Sequence, residues 1–391
     1  MSSINESLNT IKISKAENYE KMMYNSYLTG TALVVSGDPG IGKTEIAKSF
    51  FEREGIKCAI VEPQLWGGIA AGLPVLEKYN HEGKPDTEEL TLSRVKWLED
   101  AVRDGVEVII FDDMDKLPPN EVNMLYRLFT DRYLGNNKVD DKLRFMCLGN
   151  YNVKSTGVEG VLPSPIVNRT AVVEFTLDSS DWLEWSMAAK NKDGSYKMDQ
   201  KLWAFLRINQ NYINSFEDVP QRVFPTPRSW VNASKWLTMM QTDKRFIEKF
   251  GSFEDNKDFV LESIAAFVGP KAAHEFMTVY DRLNMSVDEI LKSKPKDVQD
   301  EVIYSTILGS STTPKNADKI INYIYDNIKT PDIVGMYCQR LNETCLEKDG
   351  TVNVEVINKA LDKLNKKPGV SEYFKRIFVR SKSNELDTLM K

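Results

Sequence analysis

The residues best suited to do chemistry form the stretch 37–44, which fits the phosphate-loop pattern G-x-x-x-x-G-K-[ST] at every fixed position. Glycines let the backbone come within hydrogen-bonding distance of phosphate oxygens, because no Cβ stands in the way. We expect Lys43 to reach the β- and γ-phosphates and the Thr44 hydroxyl to ligate Mg²⁺. The alternative is a glycine-rich turn without function. The pattern predicts a nucleoside triphosphate site formed by Gly37, Asp38, Pro39, Gly40, Ile41, Gly42, Lys43 and Thr44.

Two acids follow the apolar run 108–111, where a phosphate-loop enzyme needs a carboxylate that faces the metal. Asp112 is predicted to hold Mg²⁺, mostly through water, and Asp113 to polarise the attacking water. Asn150 ends the next apolar run, and its side-chain amide is suited to orient that water or to contact the γ-phosphate. The alternatives are solvated acids at the end of a strand and a simple Gly-Asn turn.

Composition excludes several classes of protein. The 391 residues carry a net charge of −6, which gives no global attraction to nucleic acid or to anionic membranes. The net charge does not exclude a local basic groove. Four widely spread cysteines and two histidines favour free thiols in a reducing compartment and disfavour structural zinc. The first residues do not resemble a signal peptide, and no apolar run reaches membrane-spanning length. We therefore expect a cytoplasmic protein.

Short apolar runs alternate with helical stretches in the first half of the chain, which is typical of a parallel sheet flanked by helices. Residues 1–14 are polar and are expected to be loosely held, and a short amphipathic helix is predicted over 15–27. The sheet is predicted to have five strands, at Ala32–Val35, Cys58–Val61, Val106–Phe111, Phe145–Leu148 and Ala171–Phe175. A small hairpin is predicted between Arg132 and Leu143, because Gly-Asn-Asn at 135–137 is a turn signal.

After about Leu177 the strand signals stop, and the remaining chain is predicted to be helical with Pro, Gly and Asp/Asn turns. The predicted organisation has four parts: an N-terminal helical segment (1–30), a nucleotide-binding core (31–177), a helical lid domain (178–293) and a helical C-terminal extension (294–391).

The order of five segments resembles the AAA+ ATPases of the MoxR branch, over about residues 31–290. These segments are GDPGIGKT, VIIFDDMDKLPPNEVNMLYRLFTDRYLG, FMCLGNYN, LPSPIVNR and FPTPRSW. The resemblance is closest to bacterial and phage members that accompany a von Willebrand A-like or metallopeptidase-like partner. It implies a P-loop fold, a hexameric ring with ATP bound between subunits, a helical lid over each site, and chaperone-like remodelling of a partner protein. It also makes the two acids the second Walker motif and Asn150 the first sensor.

The resemblance assigns two arginines to the reaction. Arg169 falls at the arginine finger, which acts in trans on the neighbouring subunit's γ-phosphate; the alternative is an arginine at a helix C-terminus, facing the helix dipole. Arg228 falls at the second sensor, on a helix that Thr226 caps and Pro227 begins; the alternative is a bare cap. Arg132 is a weaker candidate for a contact with the neighbouring subunit, and a surface salt bridge is the favoured alternative.

Two further features concern turnover and substrate. The glycine-rich segment around Trp66 and the predicted hairpin correspond to pore-facing insertions of this branch; Trp66 is either a gripping residue or, more commonly for such aromatics, a packed anchor. The family usually has Glu where this chain has Asp113, whose side chain is one methylene shorter, so slow hydrolysis is expected.

The predicted function is that of a magnesium-dependent AAA+ ring ATPase, and ATP is favoured over GTP through the resemblance alone. One alternative is a nucleotide-gated scaffold with little turnover. The other is a nucleic-acid-translocating ring motor, which the acidic charge balance disfavours because phosphate contacts need Lys and Arg side chains.

Overall fold

The structure is a computed structural model of the whole chain. It describes residues 11–62, 74–79, 87–92, 96–117, 122, 127–134, 137–150, 164–215 and 223–280, together with 283, 289, 292 and 323. The chain divides into two compact units, Met1–Asp178 and Ser179–Lys391.

The first unit is built on a parallel sheet of six strands. Its strands and hairpin strands are β1 (Ile11–Ile13), β2 (Leu33–Ser36), β3 (Cys58–Val61), β4 (Pro74–Tyr79), β5 (Thr87–Leu92), β6 (Val108–Phe111), β7 (Tyr133–Leu134), β8 (Asn137–Lys138), β9 (Arg144–Leu148) and β10 (Ala171–Phe175). The large sheet has the order β1-β10-β2-β9-β6-β3, and all its neighbours pair in parallel. The helices of this unit whose bounds the structure describes are α1 (Ala16–Thr29), α2 (Lys43–Glu54), α3 (Lys96–Arg103) and α4 (Ser164–Val167), and residues 127–130 are also helical.

The predicted number of strands was wrong. All five predicted strands are present, within two residues of the expected bounds, but β1 adds a sixth strand at the edge beside β10. Residues 11–13 are therefore paired rather than loosely held. This strand is only three residues long and buries a single side chain, Ile13, so it shows no apolar run from which a strand can be predicted.

Each face of the sheet carries its own core because side chains alternate along a strand. On one face Leu33 and Val35 of β2 pack with residues of α1 and α2, among them Tyr19 and Phe51. On the other face Val34 packs in a second cluster with the aromatic rings of Phe111, Phe129 and Phe145. Burial on both faces explains why these strands read as continuous apolar runs.

Two antiparallel hairpins stand apart from the sheet. Strands β7 and β8 form the hairpin predicted after Arg132. Strands β4 and β5 form a second hairpin over 74–92 that the sequence did not predict, because polar residues interrupt it. The segment around Trp66, predicted to face a pore, lies outside the described residues.

The second unit is helical where the structure describes it, apart from one isolated antiparallel bridge between residues 190 and 196. Its helices are α5 (Ser179–Ala188), α6 (Gln200–Ile208), α7 (Pro227–Thr242), α8 (Lys244–Phe250), α9 (Lys257–Val268) and α10 (Pro270–Tyr280). Almost all of the predicted C-terminal extension, 294–391, lies outside the described residues, and the four-part domain organisation stays a prediction. Within the described ranges, no helix combines the length and the apolar character that crossing a membrane requires.

Candidate functional site

The predicted phosphate loop connects the buried strand β2 to helix α2. Strand β2 ends at Ser36 and α2 begins at Lys43, so residues 37–42 form the loop between them. Gly40 and Gly42 have positive φ angles of 77° and 100°, which favour glycine. Gly42 gives no side-chain cap, so the first N–H groups of α2 and the positive end of its dipole are available to an anion.

Lys43 is the most strongly perturbed cation of this site. It is 8% exposed, and its Nζ donates hydrogen bonds to the carbonyl oxygens of Gly37 (2.8 Å) and Asp38 (2.9 Å) and to Oδ1 of Asn150 (3.0 Å). Burial lowers the pKa of Lys43 from 10.5 to about 8, although nearby carboxylates, Asp112 first among them, act in the opposite direction. The ammonium group is thus held inside the loop by three acceptors.

Thr44 and Asp112 come together although they are far apart in the sequence. The Thr44 Oγ1 donates a 2.8 Å hydrogen bond to Oδ2 of Asp112, while Oδ1 of Asp112 accepts from the backbone N–H of Asp113 (3.0 Å). A hydroxyl and a carboxylate oxygen are ligands that suit Mg²⁺, whose remaining positions are usually taken by water and substrate phosphates. These two side chains therefore fit the metal role predicted for them.

Asp113 differs from its neighbour in both backbone and surroundings. Its φ angle of 55° lies in the left-handed region, and its carboxylate pairs with the Nζ of Lys116. The sequence did not predict this ion pair. Because the side chain is about one-third exposed, solvent weakens the attraction between the two charges.

Asn150 lies two residues after the end of strand β9, next to the phosphate loop, and is 8% exposed. Its amide joins Lys43 to a residue that the sequence did not single out, because its Nδ2 donates to Oδ2 of Asp115 at 3.4 Å. A second residue missed from the sequence is Tyr19 of α1, whose buried hydroxyl donates to the carbonyl oxygen of Lys43 at 3.3 Å. Neither carries a motif signal, since each contact depends on tertiary packing.

The structure places the two predicted arginines in different units. Arg169 lies in the first unit but away from this cluster, and Arg228 lies in the second unit. Arg169 is exposed in the turn between α4 and β10, before the N-terminal end of that strand. The phosphate loop follows the C-terminal end of β2, the parallel neighbour of β10. Arg169 and the phosphate loop therefore lie at opposite ends of these strands. Arg228 is exposed in the first turn of α7, which Thr226 caps and Pro227 begins, as predicted.

Arg132 makes its described contacts within its own unit. Its Nη1 donates to the carbonyl oxygen of Leu143, and its guanidinium lies over the ring of Phe145, 5.4 Å from the centroid. Burial, with Arg144 nearby, lowers the pKa of Arg132. These contacts hold the residue against the sheet next to the β7–β8 hairpin.

Comparison with known proteins shows that residues 28–152, about a third of the chain, match a family model described as an AAA domain. No curated protein sequence matches the chain significantly. The match agrees with the parallel sheet and the phosphate loop, which together are the features of a P-loop fold of the AAA kind. The comparisons do not separate the MoxR branch from other branches, so that assignment stays a prediction.

Several solved structures share a distant similarity with the chain. A mutant of RuvB from Thermotoga maritima is 13% identical, with 94% of this chain and 89% of that chain covered and a TM-score of 0.33. NtrX from Brucella abortus in complex with ATP is 14% identical, with 91% and 69% covered and a TM-score of 0.38. ORC2 from Aeropyrum pernix, in ADPNP–ADP complexes, is 12% identical, with 95% and 96% covered and a TM-score of 0.33. These low scores carry no argument about fold or function.

Proposed function

We propose that the chain is a magnesium-dependent, ATP-hydrolysing AAA+ ATPase that works as a ring, hexameric by its resemblance, and remodels or activates a partner protein. The observation that carries the proposal is the 2.8 Å hydrogen bond between Thr44 Oγ1 and Asp112 Oδ2, beside the buried ammonium group of Lys43. A cation, a hydroxyl and a carboxylate at the C-terminal edge of a parallel sheet suit a metal-bound triphosphate.

Each residue of the cluster has a proposed role. The loop N–H groups and Lys43 bind the phosphates, while Thr44 and Asp112 hold Mg²⁺, which supplies positive charge to the phosphate oxygens when bound. Asp113 accepts a proton from the attacking water, and Asn150 orients that water or the γ-phosphate. Because catalysis of phosphoryl transfer is mainly positioning and charge neutralisation, these groups need little movement.

The proposal gives Arg169 a role in the neighbouring subunit. Its position at the sheet edge opposite the phosphate loop supports action in trans, since it lies away from the site of its own subunit. Arg228 is proposed as the lid residue that neutralises phosphate charge from a rigid, capped first turn of α7. The partner protein, of a von Willebrand A-like or metallopeptidase-like kind, rests on the sequence resemblance.

A second candidate, the nucleotide-gated scaffold, is favoured by the surroundings of Asp113. The side chain is shorter than the usual Glu, so it is poorly placed to reach the attacking water. Its carboxylate also pairs with Lys116, which makes it less available as a base. Under this reading ATP binding drives assembly while turnover stays close to background.

Phosphate release and assembly distinguish the two functions. We expect the wild-type chain to release phosphate from ATP only with Mg²⁺, and Asp112→Asn to lose about a hundredfold or more of this activity. Asp104→Asn, an exposed carboxylate at the end of α3, is the matched control. Background release together with ATP-driven assembly, measured by analytical ultracentrifugation, supports the scaffold, and recovery of turnover in Asp113→Glu identifies the cause.

Mixed assemblies test the role of Arg169. If the guanidinium acts on a neighbour, each Arg169→Ala subunit inactivates a site on another subunit. The Arg169→Ala chain is therefore mixed with a Lys43→Ala chain, which cannot hydrolyse ATP but keeps its own Arg169. The ATPase activity of the mixture should then exceed that of either variant alone. The same mixing with Arg103→Ala, an exposed arginine on α3, controls for exchange of subunits. Activity that stays at the level of the unmixed chains argues against action in trans.

A further inference from the structure

Asp115 is a buried carboxylate next to the site, and none of the roles above uses it. It lies in the short 3-10 turn Met114–Lys116, directly after the two acids that follow β6, and only 9% of it is exposed. Its Oδ2 accepts a hydrogen bond from Nδ2 of Asn150 at 3.4 Å, which is longer than the usual range of about 2.7–3.2 Å. Among the described residues, no donor reaches its Oδ1.

The partners of Asn150 dictate which way its amide points. An ammonium group can only donate and an ionised carboxylate can only accept, so Oδ1 must face Lys43 and Nδ2 must face Asp115. In the opposite orientation, the amide N–H groups would face the ammonium and the carbonyl oxygen would face the carboxylate. Both contacts would then be repulsive.

This orientation leaves one N–H of Asn150 without an acceptor among the residues that the structure describes. Nδ2 carries two hydrogens, one of which points to Asp115. The second is available to the γ-phosphate or to the attacking water, which is the task proposed for this residue. A carboxylate behind the amide also makes the N–H groups better donors, because hydrogen bonds in a chain polarise one another.

We propose that Asp115 is a positioning residue that fixes the amide of Asn150, so that one N–H is always presented to the γ-phosphate end of a bound nucleoside triphosphate. The inference rests on the function proposed above. It differs from a purely structural role, in which the carboxylate only stabilises the turn after β6. The two roles make different predictions for variants that remove both Asp115 and Asn150.

Hydrolysis kinetics provide the first test, with Asp115→Ala, Asp115→Asn, Asn150→Ala and the double variant Asp115→Ala/Asn150→Ala. We expect Asp115→Ala to lower kcat by roughly ten- to a hundredfold while KM for ATP changes by about threefold or less, since the geometry of the reacting groups is affected more than binding. Asp115→Asn keeps an acceptor for Nδ2 and should recover most of kcat. The double variant should be no slower than Asn150→Ala alone, because one contact is removed by either change.

Two results would overturn the inference: independent, multiplying losses in the double variant, or Asp115→Asn as impaired as Asp115→Ala. Thermal unfolding of every variant separates loss of activity from loss of fold, and Asp115→Ser replaces the alanine variant if that one does not fold. Asp104→Asn is again the matched control, since this carboxylate is exposed and lies on a different element.

A binding measurement makes the inference independent of turnover. The ratio of the affinities for ATP and ADP, measured with fluorescent nucleotide analogues, reports contacts to the γ-phosphate. We expect Asp115→Ala to reduce this ratio as much as Asn150→Ala does, by about fivefold or more. A ratio that falls in Asn150→Ala but not in Asp115→Ala overturns the inference and leaves the proposed function standing. A wild-type chain that binds no nucleotide overturns both.

Discussion

The buried ammonium group of Lys43 makes the stability of the nucleotide-free chain depend on pH in an unusual direction. Burial lowers its pKa from 10.5 to about 8, which corresponds to about 3 kcal/mol against the charged form. Between these two pH values the unfolded chain keeps a proton that the folded chain has released. Because the unfolded state binds more protons there, stability rises with pH, and the full penalty is present below about pH 8.

Lys43→Met removes the titrating group while keeping an unbranched side chain of similar length. The stability of the wild type minus that of Lys43→Met should increase by about 2 to 3 kcal/mol from pH 7 to pH 10. The variant also leaves three acceptors, on Gly37, Asp38 and Asn150, without their donor. That cost hardly varies with pH, so it changes the size of the difference but not its slope.

Chemical denaturation followed by circular dichroism, at several pH values without nucleotide, measures this difference. Lys48→Met is the matched control, because Lys48 is an exposed lysine on the same helix α2. The reasoning is refuted if the difference for Lys43→Met stays flat with pH, or changes no more than the difference for Lys48→Met. Loss of ATP binding in Lys43→Met is expected in either case and does not decide the question.

Two further predictions concern the packing around the site. Gly37→Ala should destabilise the chain by about 1 to 3 kcal/mol and weaken ATP binding, because the new Cβ would stand 2.2 Å from the carbonyl oxygen of Phe175. Thermal unfolding measures the first effect and nucleotide titration the second. An unchanged melting temperature would contradict this packing. Cys147 is fully buried, and burial raises its pKa, whereas Cys58 is only partly buried. Iodoacetamide should therefore label Cys58 before Cys147 in the folded chain, as peptide mass spectrometry can determine, and equal labelling rates would contradict the burial of Cys147.

The centre of the site was predictable because its signals are local. The loop at 37–44 has a fixed spacing, and Asp112 and Asn150 each follow an apolar run that forms a buried parallel strand. Parallel strands bring their C-terminal ends to one edge of a sheet, so the topology alone places these residues together. Only the residue types and the order of the strands are needed for that step.

The rest of the site was not predictable because it depends on how turns and edges pack. The bond between Asn150 and Asp115 joins residues 35 positions apart, and it forms only because the chain turns into a 3-10 helix after β6. Tyr19 reaches Lys43 only because α1 packs beside α2. Strand β1 gains its place from pairing with β10, since three residues with one buried side chain have no strand signal of their own.

The charges around Lys43 lead us to expect that the proposed site accepts a triphosphate only together with a metal ion. Four carboxylates, those of Asp112, Asp115, Asp38 and Asp113, act electrostatically on the same ammonium group. A triphosphate brought in without a cation would face these acids with one buried lysine to offset them, and like charges repel strongly where water is excluded. A divalent ion held by Thr44 and Asp112 would reverse the charge balance where phosphate oxygens are expected to approach. We therefore expect the acids that stabilise the charge of Lys43 in the nucleotide-free chain to make nucleotide binding depend on Mg²⁺ as well.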